Sequence, residues 1–241
     1  MNILITAGGT CEPVDRVRSI TNTGTGKLGS LIADFAAQND KADKIFYIHA
    51  KNAVLPSSER IALIPIGSTQ ELEDAVRELA ASERIDVIIH SMAVSDYSVR
   101  SVICADALTG THDSTEDILN LFDANDMRRH SNKLSSSMEN PVILLQPTKK
   151  VLPLMRSLMP QAVLVGFKLL DHVPEEELFS VAQRLLERNG CDYVLANDYA
   201  TVEAGAHEGI LIDRSGTQQT FIGKENIARG IITTLMEENN K

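Results

Sequence analysis

The sequence predicts an α/β fold, a doubly wound and mostly parallel sheet with an added β-hairpin and an irregular lid or dimer arm. Three observations predict it. Short β-branched runs alternate with amphipathic segments, the pattern of βαβ units. The chain of 241 residues is 43% hydrophobic, enough for one large domain with a sizeable core. Near the end the alternation stops, and Asp213-Arg214-Ser215-Gly216 separates two strand-like runs with turn residues.

Taken in order, strands are expected over 2–7, 44–49, 60–66, 85–91, 142–146, 162–167 and 192–197, and helices over 26–38, 69–82, 148–158, 175–189 and 224–238. Ser68 and Glu71 form a capping box at the start of the second helix. Pro174 precedes an acidic first turn of Glu175, Glu176 and Glu177, the charge that a helix N-terminus favours. The hairpin is expected over 208–213 and 217–222. Between Tyr97 and Val142 lies the least regular stretch, rich in Asp, Ser, Asn and Arg. So long a polar segment in a compact enzyme serves as a lid, a subunit arm or a partly disordered loop. We therefore read 1–241 as a single domain, with 98–132 as a flexible flap or dimerisation segment. Neither an internal repeat nor a low-complexity tract is present.

Charge narrows the function. Lys plus Arg number 23 against 33 Asp plus Glu, a net charge of −10, which argues against nucleic-acid and anionic-membrane binding. Anionic substrates need locally gathered cations. No apolar run approaches the ~18–20 residues of a membrane span, and the opening Met1-Asn2-Ile3-Leu4-Ile5 lacks a signal peptide's basic start. The expected location is the cytoplasm. Cys11, Cys104 and Cys191 match neither a zinc-ligand spacing nor a disulfide framework.

After the first strand come Ala7-Gly8-Gly9-Thr10, a long loop, and Asn22-Thr23-Gly24-Thr25-Gly26-Lys27-Leu28-Gly29 running into a helix. Two glycine-rich turns thus sit at the carboxyl end of a strand, where open α/β sheets bind ligands. Glycines there let backbone N–H groups approach phosphate oxygens beside a positive helix N-terminus. A phosphorylated ligand is the natural inference. Gly24, Gly26 and Gly29 have the dinucleotide spacing but lie well past the strand, and the second strand ends Ile48-His49-Ala50 without a ribose-binding acid. A Walker loop fails as well, because Leu28 follows Lys27 and position 21 is Thr21.

Arg16, Arg18 and Lys27 place three cations around these turns; they hold a phosphate or carboxylate, or merely pair with Asp15 and Glu12. Asn22 is a turn former or an amide donor to a developing oxyanion. Asp96 follows the fourth strand and either binds Mg²⁺ or a ligand donor, or caps a helical turn. His90 reads as a packed strand-end histidine. Lys133, in Asn132-Lys133-Leu134-Ser135-Ser136, is a loop cation of the kind that closes on phosphate. Later strands finish in Gly166-Phe167-Lys168 and Ala196-Asn197-Asp198, where Phe167 could stack on a base and Asn197 could read one.

These residues together resemble the phosphopantothenate–cysteine ligase family. The resemblance rests on Ile5 to Thr10, on Glu12 to Asn22, on Ala93-Val94-Ser95-Asp96-Tyr97, on Lys133-Leu134-Ser135-Ser136, on Val165 to Leu169 and on Val194 to Asp198. It implies a Rossmann-like domain acting as a homodimer that ligates 4′-phosphopantothenate to L-cysteine through an acyl-nucleotide, with CTP (favoured over ATP) as cosubstrate and Mg²⁺ as cofactor. Carried over by position, Asn22 holds the substrate carboxylate and Arg18 supports that loop or crosses the dimer contact. Gly8, Gly9 and Thr10 line the nucleotide phosphates, while Asp96, Lys133, Phe167, Lys168 and Asn197 contact the nucleotide. The Mg²⁺ ligands stay unassigned. A flavin-dependent decarboxylase often precedes this domain; here it is expected on a separate chain, as in the free-standing bacterial form. Two departures stand out: Asn22-Thr23-Gly24-Thr25-Gly26 replaces the family's Asn-x-Ser-Ser-Gly, and Leu170 replaces an acid. A nicotinamide-dependent oxidoreductase and a non-catalytic nucleotide-binding module are the alternative functions.

Overall fold

In the first strand, β1 (Asn2–Ala7), alternation sets the layers: Ile3, Ile5 and Ala7 enter one buried cluster and Leu4 the other. The computed structural model describes residues 1–110, 114–129, 133–203 and 205–238. After β1 come the short strands β2 (Cys11–Pro13) and β3 (Ser19–Thr21), then α1 (Lys27–Ala37), β4 (Lys44–Ala50), β5 (Ile61–Ile66), α2 (Thr69–Ser82), β6 (Val87–His90) and β7 (Tyr97–Cys104). The chain continues through α3 (Thr115–Ala124), β8 (Pro141–Pro147), α4 (Val151–Leu158), β9 (Val163–Leu170), α5 (Glu175–Asn189) and β10 (Tyr193–Asp198). It closes with α6 (Tyr199–Glu203), β11 (Glu208–Asp213), β12 (Gln218–Ile222) and α7 (Lys224–Glu238).

Eight strands form the main sheet in the order β12-β11-β10-β9-β6-β1-β4-β5. Pairing is parallel from β5 to β10, and β11 and β12 add the expected antiparallel hairpin. Because β4 lies on one side of β1 and β6 on the other, the winding reverses there, which opens a crevice above the carboxyl ends of those strands. Ile32 of α1 and Ile227, Ile231 and Leu235 of α7 cover one face of the sheet. Leu72 and Val76 of α2, Met155 of α4 and Ala182 and Leu186 of α5 cover the other. Each large side chain buried this way contributes ~1.5–3 kcal/mol, so the sheet between two helical layers is a rigid floor for the loops above it. Among the described residues no helix is long and apolar enough to cross a membrane.

Two small ribbons lie outside the main sheet: β2 with β3, and β7 with β8. The run 142–146, expected as a strand of the parallel sheet, is instead the core of β8 and pairs antiparallel with β7. A short apolar run fixes strand character but not its partner, and β8 exposes Ile143 and Leu145 as a half-solvated strand would. The stretch read as irregular contains β7 and α3; residues 111–113 and 130–132 of it, including Asn132, lie outside the described residues. Helix α4 begins at Val151 and not at 148, because Thr148 is tied to the preceding crossover: its N–H donates to Asp96 O at 3.0 Å and its hydroxyl to Ser95 O at 2.6 Å. The capping box forms with a shift. Ser68 Oγ accepts the Glu71 N–H at 3.2 Å, while the Glu71 carboxylate accepts from Gly67, one residue before the cap, at 2.7 Å.

Candidate active site

The turn after β1 is built on glycine because the chain must pass close to other backbone. A Cβ on Gly9 would stand 2.2 Å from Asn22 O, and Gly8 has φ +93°. Here the β2–β3 ribbon brings Asn22 back against the first turn: its N–H donates to Thr10 O at 3.3 Å and its side-chain amide to Ala93 O at 3.3 Å. Ala93 O also accepts the Thr10 N–H at 3.1 Å, so the loops after β1 and β6 clamp Asn22 together. Thr10 itself is fully buried. Its hydroxyl accepts the Ser95 N–H at 2.8 Å and lies 3.3 Å from the Thr69 hydroxyl, which donates to buried Glu12 at 2.7 Å. Glu12 accepts the Thr69 N–H too, at 2.8 Å, placing a carboxylate at the N-terminus of α2. Thr10 thus braces the turn from behind; Gly8 lines the crevice, whereas Gly9 is covered by Asn22 and borders a separate cavity on the β4–β5 side.

Of the cavities along the carboxyl edge, two share Met92, Ala93, Phe167 and Leu169, and a third of about 760 Å³, lined by Gly9, Arg16, Lys51 and Gly67, lies on the β4–β5 side. The smaller of the first two, about 260 Å³, is lined by Gly8, Gly24, Gly26 and Gly29 at the start of α1, with Asn197 opposite. Gly26 caps α1 at φ +72° and offers no side-chain acceptor to the first turn, where Thr25 Oγ1 accepts the Lys27 N–H at 3.4 Å. The larger of these two, about 640 Å³, brings together Asn22, Asp96 and Lys168 with Lys150 and Arg188. Strand alternation explains the division: Phe167 packs with the α1/α7 layer, and Lys168 lies on the opposite side of β9. The expected residues Gly8, Asn22, Asp96, Phe167, Lys168 and Asn197 therefore converge on one crevice. At the end of β4, Ala50 and Ala53 fill the space beside Gly8, and no acid stands there.

Lys133 lines none of these cavities. It is exposed and precedes Leu134, whose carbonyl accepts Arg18 Nη2 at 3.2 Å and whose N–H donates to Asp15 at 3.0 Å. The Asp15 carboxyl, holding the Val17, Leu134 and Arg18 N–H groups beside the Arg18 charge, titrates below its ordinary range. Arg18 and Asp15 thus join the β2–β3 turn to the segment carrying Lys133. His90 is buried, with Nδ1 2.7 Å from Thr6 Oγ1, and burial pushes its pKa down to about 4. It is neutral and packed, as its strand-end position suggests.

Sequence reasoning overlooked Lys149 and Lys150. They precede α4, where cations oppose the helix dipole, and two consecutive lysines at a helix start are the signal that could have found them. Lys149 meets Glu73 at 3.0 Å, and Lys150 meets Asp96 at 2.5 Å. Hydrogen bonds from Arg77 and Lys149 hold the Glu73 carboxyl below its usual range.

For a metal, Asp96 offers one exposed carboxylate above the crevice, the donor set with which Mg²⁺ pairs when substrate phosphates supply the other oxygens. Asp171, His172 and Asp198 also approach within 4.8 Å of one another. There the Asp198 carboxylate already accepts the His172, Val173 and Ala200 N–H groups.

Comparison with known proteins places this geometry in context. The family described as DNA/pantothenate metabolism flavoprotein C-terminal domain matches residues 1–127 and 120–238. The coenzyme A biosynthesis bifunctional protein CoaBC of Thermococcus kodakarensis is 30% identical over 213 residues, 88% of this chain and 45% of that protein. The CoaBC protein of Mycobacterium tuberculosis H37Rv is 27% identical over 223 residues, 91% of this chain and 47% of that protein. The chain spans about half the length of the curated relatives it matches. Among solved structures, the DNA/pantothenate metabolism flavoprotein from Streptococcus pneumoniae superposes with TM-score 0.86 at 31% identity, covering 99% of both chains. Cab2 in complex with phosphopantothenate-cysteine shares the fold, with TM-score 0.70 at 18% identity, covering 99% of this chain and 86% of that one.

Proposed function

The chain belongs to the DNA/pantothenate metabolism flavoprotein C-terminal domain family, and from that premise we propose that it ligates 4′-phosphopantothenate to L-cysteine in coenzyme A biosynthesis. In the first step the substrate carboxylate attacks the α-phosphate of CTP. A P–O bond forms, pyrophosphate leaves, and an acyl-cytidylate anhydride remains. In the second, the cysteine amine attacks the acyl carbon, CMP departs and the amine gives up a proton. Such chemistry needs charge neutralisation and positioning more than a nucleophile, which suits a crevice of glycine turns, an amide and cations.

Asn22 is assigned to the acyl end, its amide facing the carboxylate and then the anhydride, with Arg18 fixing the turn that carries it. Gly8 offers its backbone N–H to phosphate, Gly9 is assigned there by the family resemblance alone, and Thr10 holds their loop. Phe167 and Asn197 take the base, and Lys168 and Asp96 the polyphosphate end; Lys133, which lines neither cavity of the crevice, is assigned to the polyphosphate by the family resemblance alone. Mg²⁺ travels with the nucleotide and neutralises polyphosphate charge; Asp96 is the carboxylate suited to meet it. The enzyme works as a homodimer, and its product is passed to a decarboxylase.

The observation that carries this reading is the family match along residues 1–127 and 120–238, spanning every turn that lines the crevice. Pyrophosphate release is the test. With 4′-phosphopantothenate, CTP and Mg²⁺ but no cysteine, one burst per site is expected, and cysteine converts it to turnover. Release that ignores the acid, or none with either CTP or ATP, rejects the assignment.

A further inference from the structure

The Lys150–Asp96 pair is hard to explain as part of the fold. Its side chains are 63% and 69% exposed, and an exposed ion pair contributes little stability. Lys150 also occupies the N-cap of α4, makes no capping hydrogen bond there, and sets a positive charge against the helix dipole. Its neighbourhood is nevertheless firmly built. Thr148 bonds both Ser95 O and Asp96 O, and Lys149 is tied to Glu73, so the backbone before Lys150 is fixed to the loop after β6. The same cavity wall gathers Lys168 and Arg188 in a chain of net charge −10. Asp96 is thus the resting partner of one cation among four, Lys149, Lys150, Lys168 and Arg188, that line this cavity.

We propose that Lys150 binds the nucleotide's terminal phosphates, the part that leaves as pyrophosphate, exchanging its bond to Asp96 for a bond to phosphate when the nucleotide enters. The assignment rests on the ligase reading and adds to it a residue on the leaving group. A phosphate oxygen offers Lys150 the same charge-assisted bond as a carboxylate, and the exchange frees Asp96 for the cation that accompanies a triphosphate. Since the contact lies beyond the α-phosphate, it discriminates by phosphate number.

Equilibrium binding of CTP, CMP and inorganic pyrophosphate to the full chain, without the acid or cysteine, tests this. For Lys150→Gln the expected result is an affinity for CTP and for pyrophosphate lowered about ten-fold or more, the worth of one charge-assisted bond. CMP affinity and the thermal midpoint should match wild type, and Lys150→Arg should restore most of the CTP affinity. Unchanged CTP binding in Lys150→Gln, or equal losses for CMP and CTP, overturns the assignment while leaving the ligase reading intact. Wild-type protein that binds neither CTP nor ATP overturns both.

Discussion

Asn22 owes its orientation to two loops at once, because the carbonyl that accepts its amide also accepts the Thr10 N–H. Only one amide hydrogen is spent there, so the group can still donate toward the cavity. Asn22→Asp replaces a donor with a charge facing the substrate's carboxylate, and both it and Asn22→Ala are expected to lower turnover on the order of 10²–10³-fold, with nucleotide affinity changed far less. Steady-state kinetics beside equilibrium binding check this; near-normal turnover would make Asn22 a turn residue only. His90 gives a second prediction at the same scale. Its pKa falls from 6.5 to about 4 on folding, so the folded state favours the neutral ring. The stability this carries is complete above pH 6.5 and is lost as pH falls toward 4, about 3 kcal/mol in all. Denaturant unfolding across that window should show the loss, and His90→Gln should flatten it. Both residues were legible in the sequence, one as an amide between glycine turns and the other as a histidine ending an apolar strand. Lys150 was not, since its neighbours Asp96 and Lys168 lie 54 and 18 residues away along the chain and only the crossing of the loops after β6 and β8 with the end of β9 brings them together.

Between the elements, the buried series Glu12, Thr69, Thr10 and Ser95 links the start of α2 to the loops after β1 and β6. Glu12→Ala would leave the Thr69 N–H without its acceptor, at a cost of ~1–3 kcal/mol for an orphaned buried donor, and would loosen Thr10 beneath Asn22. The expected outcome is a lower unfolding midpoint together with reduced turnover; Glu12→Gln, which keeps the acceptor, should retain most of both. A fall in stability with full turnover would show that α2 is anchored independently of the site. The sequence marked Glu12 as part of a motif and as a partner for nearby cations, because nothing local says that its carboxylate reaches a helix 57 residues on. Helix starts were easier, as with Ser68 and Pro174, since a cap and its first turn are neighbours in the chain.

At the scale of the molecule, the parallel sheet was legible from the βαβ alternation, whereas the β7–β8 ribbon was not, because a short apolar run carries no record of its partner. That ribbon leaves Ile143 and Leu145 about 40% exposed on a pair of strands too few to stand alone, and under the proposed homodimer it is the surface that would carry the contact. Analytical ultracentrifugation should show a dimer for the wild type and a monomer for Ile143→Asp combined with Leu145→Asp; a monomeric wild type would reject the dimer, and an unchanged dimer in the variant would move the contact elsewhere. Which bond of the nucleotide breaks is read directly by pyrophosphate–CTP isotope exchange. With 4′-phosphopantothenate and Mg²⁺ present and cysteine absent, labelled pyrophosphate should enter CTP, and omission of the acid should abolish the exchange. Ligation that proceeds without any such exchange, releasing CDP and orthophosphate, would contradict the acyl-nucleotide account.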